Sequence, residues 1–224
     1  ITVDEGIEGY RPEALQKARR LAKDLGVEHH VIRFQDEVGM TMDETASILG
    51  QRTPCAYCGV FRRMCMNLKA REICADVLAT GHNLDDAAQA VLMNFTRGDV
   101  ERLARMGPHE KVQPGLVPRI MPLRLIPEKE VYLYALLREI DFSDSSCPYW
   151  EAALRNEYRD IIDGMEARSP GTKHSIIASY DDLKPLLQMK YPQTALKLCQ
   201  CGEPSPKGRC MACTMMEELQ DRRT

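Results

Sequence analysis

Two cysteines three positions apart, in Pro54-Cys55-Ala56-Tyr57-Cys58-Gly59, are the first residues whose spacing implies chemistry. On a single turn they present two thiolates that hold one metal ion or cluster. A lone pair of this kind is equally compatible with a thioredoxin-like redox couple or with unrelated thiols. Cys147, far along the chain, is the candidate third ligand. A second constellation is Gly81-His82-Asn83-Leu84-Asp85-Asp86. Here a glycine lets the backbone approach a phosphate, and a carboxylate can hold Mg²⁺ on a nucleotide. The plainer reading is that Asp85 and Asp86 only cap the helix that follows. The third is C-terminal: Cys199 and Cys201, then Cys210 and Cys213, bracket Gly and Pro turns and read as a structural zinc knuckle with all four positions closed. Its first pair is C-x-C rather than the commoner C-x-x-C.

Nine cysteines in 224 residues, an odd number, fit metal chemistry better than a disulfide framework. Cys65 and Cys74 belong to no group and are expected to pack as small apolar side chains along a helix. The chain is 44% hydrophobic, enough for a sizeable core in one large domain with an appendage, and has no apolar run of membrane-spanning length. It is expected to be cytoplasmic. A net charge of −3 does not mark a nucleic-acid binder as a whole. Any RNA contact must come from local basic groups: Arg52, Arg62, Arg63, Lys69 and Arg71, then Arg97, Arg119 and Arg124.

The elements that must position these groups alternate in type. Residues 1–7 are β-like. Ala14, Leu15, Ala18, Leu21, Ala22 and Leu25 repeat at helical spacing and stop at Gly26. A second β run spans 29–34, and short helix and helix patterns follow over 42–49 and 59–75. Val77 to Thr80 is an apolar strand ending at the Gly81 turn, and a helix begins near Asp85. Past the Pro-rich, basic stretch 114–127 come a helix over 129–140, with Val131, Tyr134, Ala135 and Leu137 on one face, a loop carrying Cys147, a last helical region over 151–168 and, after a Ser-Pro-Gly break, the stretch 176–187. This alternation predicts an α/β fold with a parallel, doubly wound, Rossmann-like sheet. Ligands of such sheets sit outside the carboxyl ends of the strands, which is where Thr80 to Asp86 falls.

With these residues in hand, the sequence resembles the TtuA/NcsA family of tRNA 2-thiouridine synthetases, within the PP-loop ATP pyrophosphatase superfamily. The resemblance lies in Cys55-Ala56-Tyr57-Cys58-Gly59-Val60-Phe61-Arg62-Arg63 and in Ala79-Thr80-Gly81-His82-Asn83-Leu84-Asp85-Asp86 with Val91-Leu92-Met93-Asn94. It continues through Arg97-Gly98-Asp99, Pro118-Arg119-Ile120-Met121-Pro122-Leu123, Cys147-Pro148-Tyr149 and the C-terminal cysteines. It implies a PP-loop catalytic domain over 1–195 and a zinc knuckle over 196–224. It further implies that Cys55, Cys58 and Cys147 hold a [4Fe–4S] cluster by three irons, leaving the fourth open for sulfur. ATP would adenylate a uridine C2 oxygen, and sulfide would then displace AMP. Asp86, through Mg²⁺ or proton transfer, and Arg62, by neutralising phosphate charge, would lie at the active site, with Gly81 and His82 bordering ATP.

The same resemblance implies a tRNA substrate, a sulfur donor that is sulfide, a persulfide or a thiocarboxylated carrier protein, and a homodimer. Relatives often carry Glu where this chain has Ala87, so no role for that Glu transfers. They also have an N-terminal zinc module and an S-G-G-x-D-S pyrophosphate loop ahead of the strand that resembles residues 1–7. Neither is in this sequence, so an upstream part is expected to be missing and ATP binding by these residues alone to be weak. Competing readings are a 2-thiocytidine synthetase, whose relatives lack the C-terminal knuckle, and a non-catalytic RNA-binding module whose cysteines all bind zinc.

Overall fold

The computed structural model describes residues 1–50, 52–107, 113–192 and 195–223. Strand β1 (Thr2–Asp4) leads through helix α1 (Arg11–Asp24) to β2 (Val31–Arg33), and the two strands pair in parallel. Helix α1 ends where expected: Leu25 caps it, and Gly26 turns the chain at φ 64°, a left-handed value that glycine adopts without steric cost. Short helices α2 (Phe34–Glu37) and α3 (Met42–Ser47) follow, α3 opening on a capping box between Thr41 and Glu44.

Helix α4 (Pro54–Glu72) is the spine of the protein. Its sequence places Tyr57, Phe61, Met64 and Cys65 on a buried stripe, where they join Val3, Ile32, Phe34 and Met42 in the main core. Phe34 and Phe61 meet edge to face at 5.8 Å between ring centres. One turn further on, Ala70 packs against Leu78 and Val117, so α4 also supports a second strand pair. That pair is β3 (Leu78–Ala79) with β4 (Arg119–Ile120), again parallel and connected through α5 (Leu84–Thr96) and α6 (Val100–Arg105).

Helices α7 (Glu128–Leu137), α8 (Arg155–Arg168) and α9 (Thr172–Lys190) complete the α/β part, with α8 and α9 closing on α5 around Leu84, Ala88, Ile162, Ile177 and Tyr180. A small antiparallel pair, β5 (Lys197–Leu198) and β6 (Pro204–Ser205), then leads to α10 (Met211–Arg223). Ala212, Met215 and Leu219 of α10 are buried in the same core as Phe61, so the C-terminal cysteine segment rests directly on α4.

Three expectations change. The parallel strands form two separate two-stranded pairs among the described residues rather than one continuous sheet, because α4, not a shared strand, bridges them. Helix α7 has no buried residue: Val131 and Ala135 are half-covered, but Tyr134 and Leu137 face outward, Leu137 at 73% exposure. Its apolar residues run around the helix, so one contact face cannot cover them all. Cys65 is fully buried as predicted, but Cys74 is exposed. It sits just past the end of α4 at φ 53°, in the turn that reverses the chain, so no neighbouring helix covers it. Strand β4 lies inside the Pro-rich stretch that the sequence pattern left without an element. No described helix is long and apolar enough to cross a membrane.

Candidate functional site: two cysteine centres on one helix

Pro54 starts α4 because a missing N–H costs nothing in a first helical turn, and this puts Cys55 and Cys58 one above the other at the helix start. Cys147 arrives from the coil before the single 3-10 turn Trp150–Ala152. The fields of Cys55 and Cys58 both include Cys147, so the three thiols share one locality. The Cys55 thiol reaches the Tyr149 carbonyl at 3.5 Å, and Tyr149 Oη donates to Asp43 Oδ1 at 2.6 Å, fastening the Cys147 loop to α3. Burial raises the pKa of Cys55 and of Cys58 above the usual thiol value, and the Arg62 charge works against that rise in both.

Arg62, one turn beyond Cys58, donates from Nη2 to Cys58 Sγ at 3.3 Å and lies 2.9 Å from Glu5 Oε1. Glu5 is completely buried and also pairs with Arg11 Nε. Burial disfavours the Arg62 charge, but Cys58 and Glu5 outweigh it and raise its pKa above the ordinary guanidinium value. Sequence reasoning missed Glu5. Its only signal was an acidic residue in an apolar β run just before Gly6, whose φ of 66° packs it against Thr41.

The turn after β3 lies near α4, since the field of Arg63 reaches His82. Gly81 has no left-handed φ, and a Cβ there would meet nothing within 4 Å, so the missing side chain leaves open room beside the backbone. His82 Nδ1 lies 2.9 Å from Thr80 Oγ1. Burial lowers its pKa, Asp86 opposes that effect, and Arg155, Arg119 and Arg63 add to it. Asp86 does cap its helix: it exchanges hydrogen bonds with Asn83 in a capping box. Its Oδ1 also accepts from Arg155 at 2.6 Å, a partner the sequence did not disclose. Asp85 turns the other way. It is buried, accepts from the Glu128 backbone N–H at 2.8 Å, and pairs with the buried Lys173. The adjacent aspartates therefore divide the work: Asp85 ties α5 to α7 and α9, while Asp86 stands at the open turn.

The second centre is more compact. Among the described residues, Cys199, Cys201, Cys210 and Cys213 are the group whose ligand atoms all lie within 4.8 Å of one another. Cys199 and Cys213 sulfurs are 3.7 Å apart, and Cys201 and Cys210 sulfurs 3.5 Å. A single tetrahedral zinc with Zn–S bonds near 2.3 Å sets its sulfurs about 3.8 Å apart, so this donor set fits one ion. Backbone N–H groups of Cys201 and Cys210 hold Cys199 well below the usual thiol range. Helix α4 braces this centre too, since Arg71 donates to the Gly202 carbonyl and pairs with Glu203, while the buried Asn67 amide donates to Glu203 and Gly115 at 2.7 Å each. Cys55, Cys58 and Cys147 do not reach that single-ion spacing. Cys65 lies seven residues beyond Cys58, about 10 Å along the helix. Its thiol is pushed up to about 12, burial being the main cause, and it is no fourth ligand.

The α/β fold thus carries three thiols in one locality at the start of α4 and a compact four-thiol group near its C-terminus, and the latter is the donor set of a metal-binding protein. No family model matches the chain. It is 38% identical to the tRNA 2-thiolation protein NcsA of Haloferax volcanii over 98% of this chain and 72% of that protein. A probable sulfurtransferase of Methanocaldococcus jannaschii is 36% identical, with 98% and 65% covered, and the cytoplasmic tRNA 2-thiolation protein 1 of Arabidopsis thaliana 34%, with 98% and 61% covered. Among solved structures, the U34-tRNA thiolase NcsA from Methanococcus maripaludis with its [4Fe-4S] cluster matches at a TM-score of 0.79 and 38% identity, over 97% of this chain and 69% of that one. The chain belongs to the NcsA family of tRNA 2-thiolation proteins. It spans about three-fifths to seven-tenths of the length of these relatives.

Proposed function

We propose that the protein is an ATP-dependent tRNA-uridine 2-sulfurtransferase, acting in the cytoplasm and as a homodimer. The observation that carries this reading is the gathering of Cys55, Cys58 and Cys147 at the start of α4, with Arg62 on the Cys58 sulfur. Three cysteines that hold a [4Fe–4S] cluster leave one iron free to carry sulfide. The rest of the chemistry falls to the chain. Adenylation joins the uridine C2 oxygen to the ATP α-phosphate and expels pyrophosphate, and attack of sulfide at C2 then releases AMP.

Arg62 faces the phosphate charge that builds during adenylation and keeps the Cys58 thiolate compensated. Asp86, half-buried at the turn and reachable on exchange of Arg155, would hold Mg²⁺ on the nucleotide, with Gly81 and His82 bordering it. The 2-thiocytidine reading is disfavoured by the C-terminal cysteines. The all-zinc reading is disfavoured by the likeness to a tRNA thiolase that carries a [4Fe-4S] cluster. In the protein as its gene encodes it, anaerobic incubation with tRNA, ATP, Mg²⁺ and sulfide is expected to yield 2-thiouridine. Nucleoside analysis showing 2-thiocytidine, or no thiolated base in the presence of bound iron, overturns the assignment.

We assign residues 196–224 as a zinc module closed by Cys199, Cys201, Cys210 and Cys213, attached to the 1–195 catalytic domain. Because α10 shares the α4 core, Cys210→Ser is expected to release one equivalent of zinc and lower Tm by roughly 5–10 °C in one transition. Metal analysis with a thermal melt reads both. Zinc loss without a change in Tm would remove the structural role.

A further inference from the structure

The structure sorts the basic residues that the sequence singled out. Arg52 pairs with Glu218 at 3.1 Å, Arg62 with Glu5 at 2.9 Å, Lys69 with Glu72 at 2.6 Å, Arg71 with Glu203 at 3.3 Å, and Arg124 with Asp181 at 2.6 Å. Each of these charges is compensated within the fold. Arg63, Arg97 and Arg119 make no ion pair among the described residues. Arg97 caps the far end of α5, about 20 Å from the Gly81 turn. The other two come together.

Arg119, on β4, reaches across to α4, where its Nη2 donates to the Arg63 carbonyl at 3.5 Å. Its Nε is buried and has no acceptor. Arg63 lies back along α4 over Gly59, with Nη1 3.5 Å from where a Cβ of that residue would stand. Four positive fields bear on Arg63, those of Arg102, Arg119, Arg62 and Arg155. Nearby carboxylates are already engaged: Asp86 by Arg155 and the α5 cap, and Glu203, whose field reaches Arg119, by Arg71 and Asn67. Like charges held together with an orphaned donor make a site that an anion completes.

We propose that Arg63 and Arg119 seat a backbone phosphate of the RNA substrate, an inference that rests on the tRNA reading above. Arg63 stands on α4 five residues past Cys58, and Arg119 pairs in register with Leu78 of β3, three residues before Gly81. A nucleotide triphosphate is the other source of phosphate, but its seats are built from backbone N–H groups at glycine-rich turns and helix starts. Arg63 is instead nine residues into α4, and Arg119 is in a strand. Side-chain guanidinium groups are the usual partners of nucleic-acid phosphates, which they contact without reading sequence.

The test is binding of an unmodified tRNA transcript by fluorescence anisotropy across a salt series, with ATP binding measured in parallel. Thermal melts and iron content check the fold of each variant. Arg63→Ala and Arg119→Ala should each lower the slope of log K against log salt, and the double variant should lower it by roughly 0.7–0.9 in all and weaken binding roughly tenfold near 0.1 M salt. Arg63→Lys should keep the slope, because the charge remains. Lys69→Ala, whose charge is compensated, should leave it unchanged. An unaltered slope in the folded double variant overturns the proposal while the tRNA reading stands. Lost ATP affinity with an unaltered tRNA slope would reassign the seat to the nucleotide. A wild-type protein that binds no tRNA would remove the seat together with the tRNA reading.

Discussion

Replacing Cys147 with alanine is expected to abolish iron binding and tRNA thiolation while leaving the C-terminal metal in place. The reason is positional. Cys55 and Cys58 share one helical turn and would stay together in any fold that keeps α4, but two thiolates do not retain a cluster that three hold. Cys147 comes from a coil that only a few contacts fix: its own carbonyl accepts from the Trp150 backbone at 2.9 Å, and the next-door Tyr149 is fastened to Asp43. Little of the core depends on that coil, so the alanine variant should melt close to wild type. Tyr149→Phe, which removes the fastening and keeps the ligand, should lower iron occupancy only partly. Iron and acid-labile sulfide analysis of anaerobically reconstituted protein separates the two. Full iron in Cys147→Ala would remove this cysteine from the site and with it the three-ligand centre.

The second large effect is expected at Glu5. This carboxylate, 0% exposed, lies between Arg11 and Arg62, and Glu5→Gln would leave both guanidinium groups without their counter-charge. Breaking a buried ion pair from one side costs about 3–5 kcal/mol, which for a chain of this size lowers Tm by roughly 6–20 °C. Arg62 itself is 46% exposed on its side chain, so Arg62→Ala should destabilise far less, because water screens what remains. The two variants part company in this way: Glu5→Gln should lose stability and activity together, whereas Arg62→Ala should fold, keep its iron and lose turnover. Comparable melts for the two would show that Glu5 is held by something other than these arginines.

Much of this site was legible in the order of residues alone. Cys55 and Cys58 sit one turn apart because of their spacing, and the Gly81 turn follows a short apolar strand, but the apolar pattern shows a helix only from residue 59, whereas α4 begins at Pro54 and includes both cysteines. The four C-terminal cysteines converge through turns that their own Gly and Pro residues specify. All of these are local relations, within a few residues, where backbone geometry follows directly from side-chain type. The assignment of Asp86 to an open turn was local in the same way, and so was its capping bond to Asn83.

What the sequence could not disclose was which charge meets which. Glu5 finds Arg62, Asp86 finds Arg155, and Asp85 finds Lys173 only because β1, α4, α5, α8 and α9 pack as they do. Four of the eight basic residues in the candidate RNA groups proved to be neutralised by such long-range pairs and a fifth, Lys69, by Glu72 one turn along α4, while two of the others were brought together by the pairing of β4 with β3. The strands themselves stayed in two pairs because α4 stands between them. Residue type and spacing determined what chemistry this protein carries. Tertiary packing decided which of its charges are left free to act, since an ion pair forms wherever two side chains come within reach, and chain order does not set that distance.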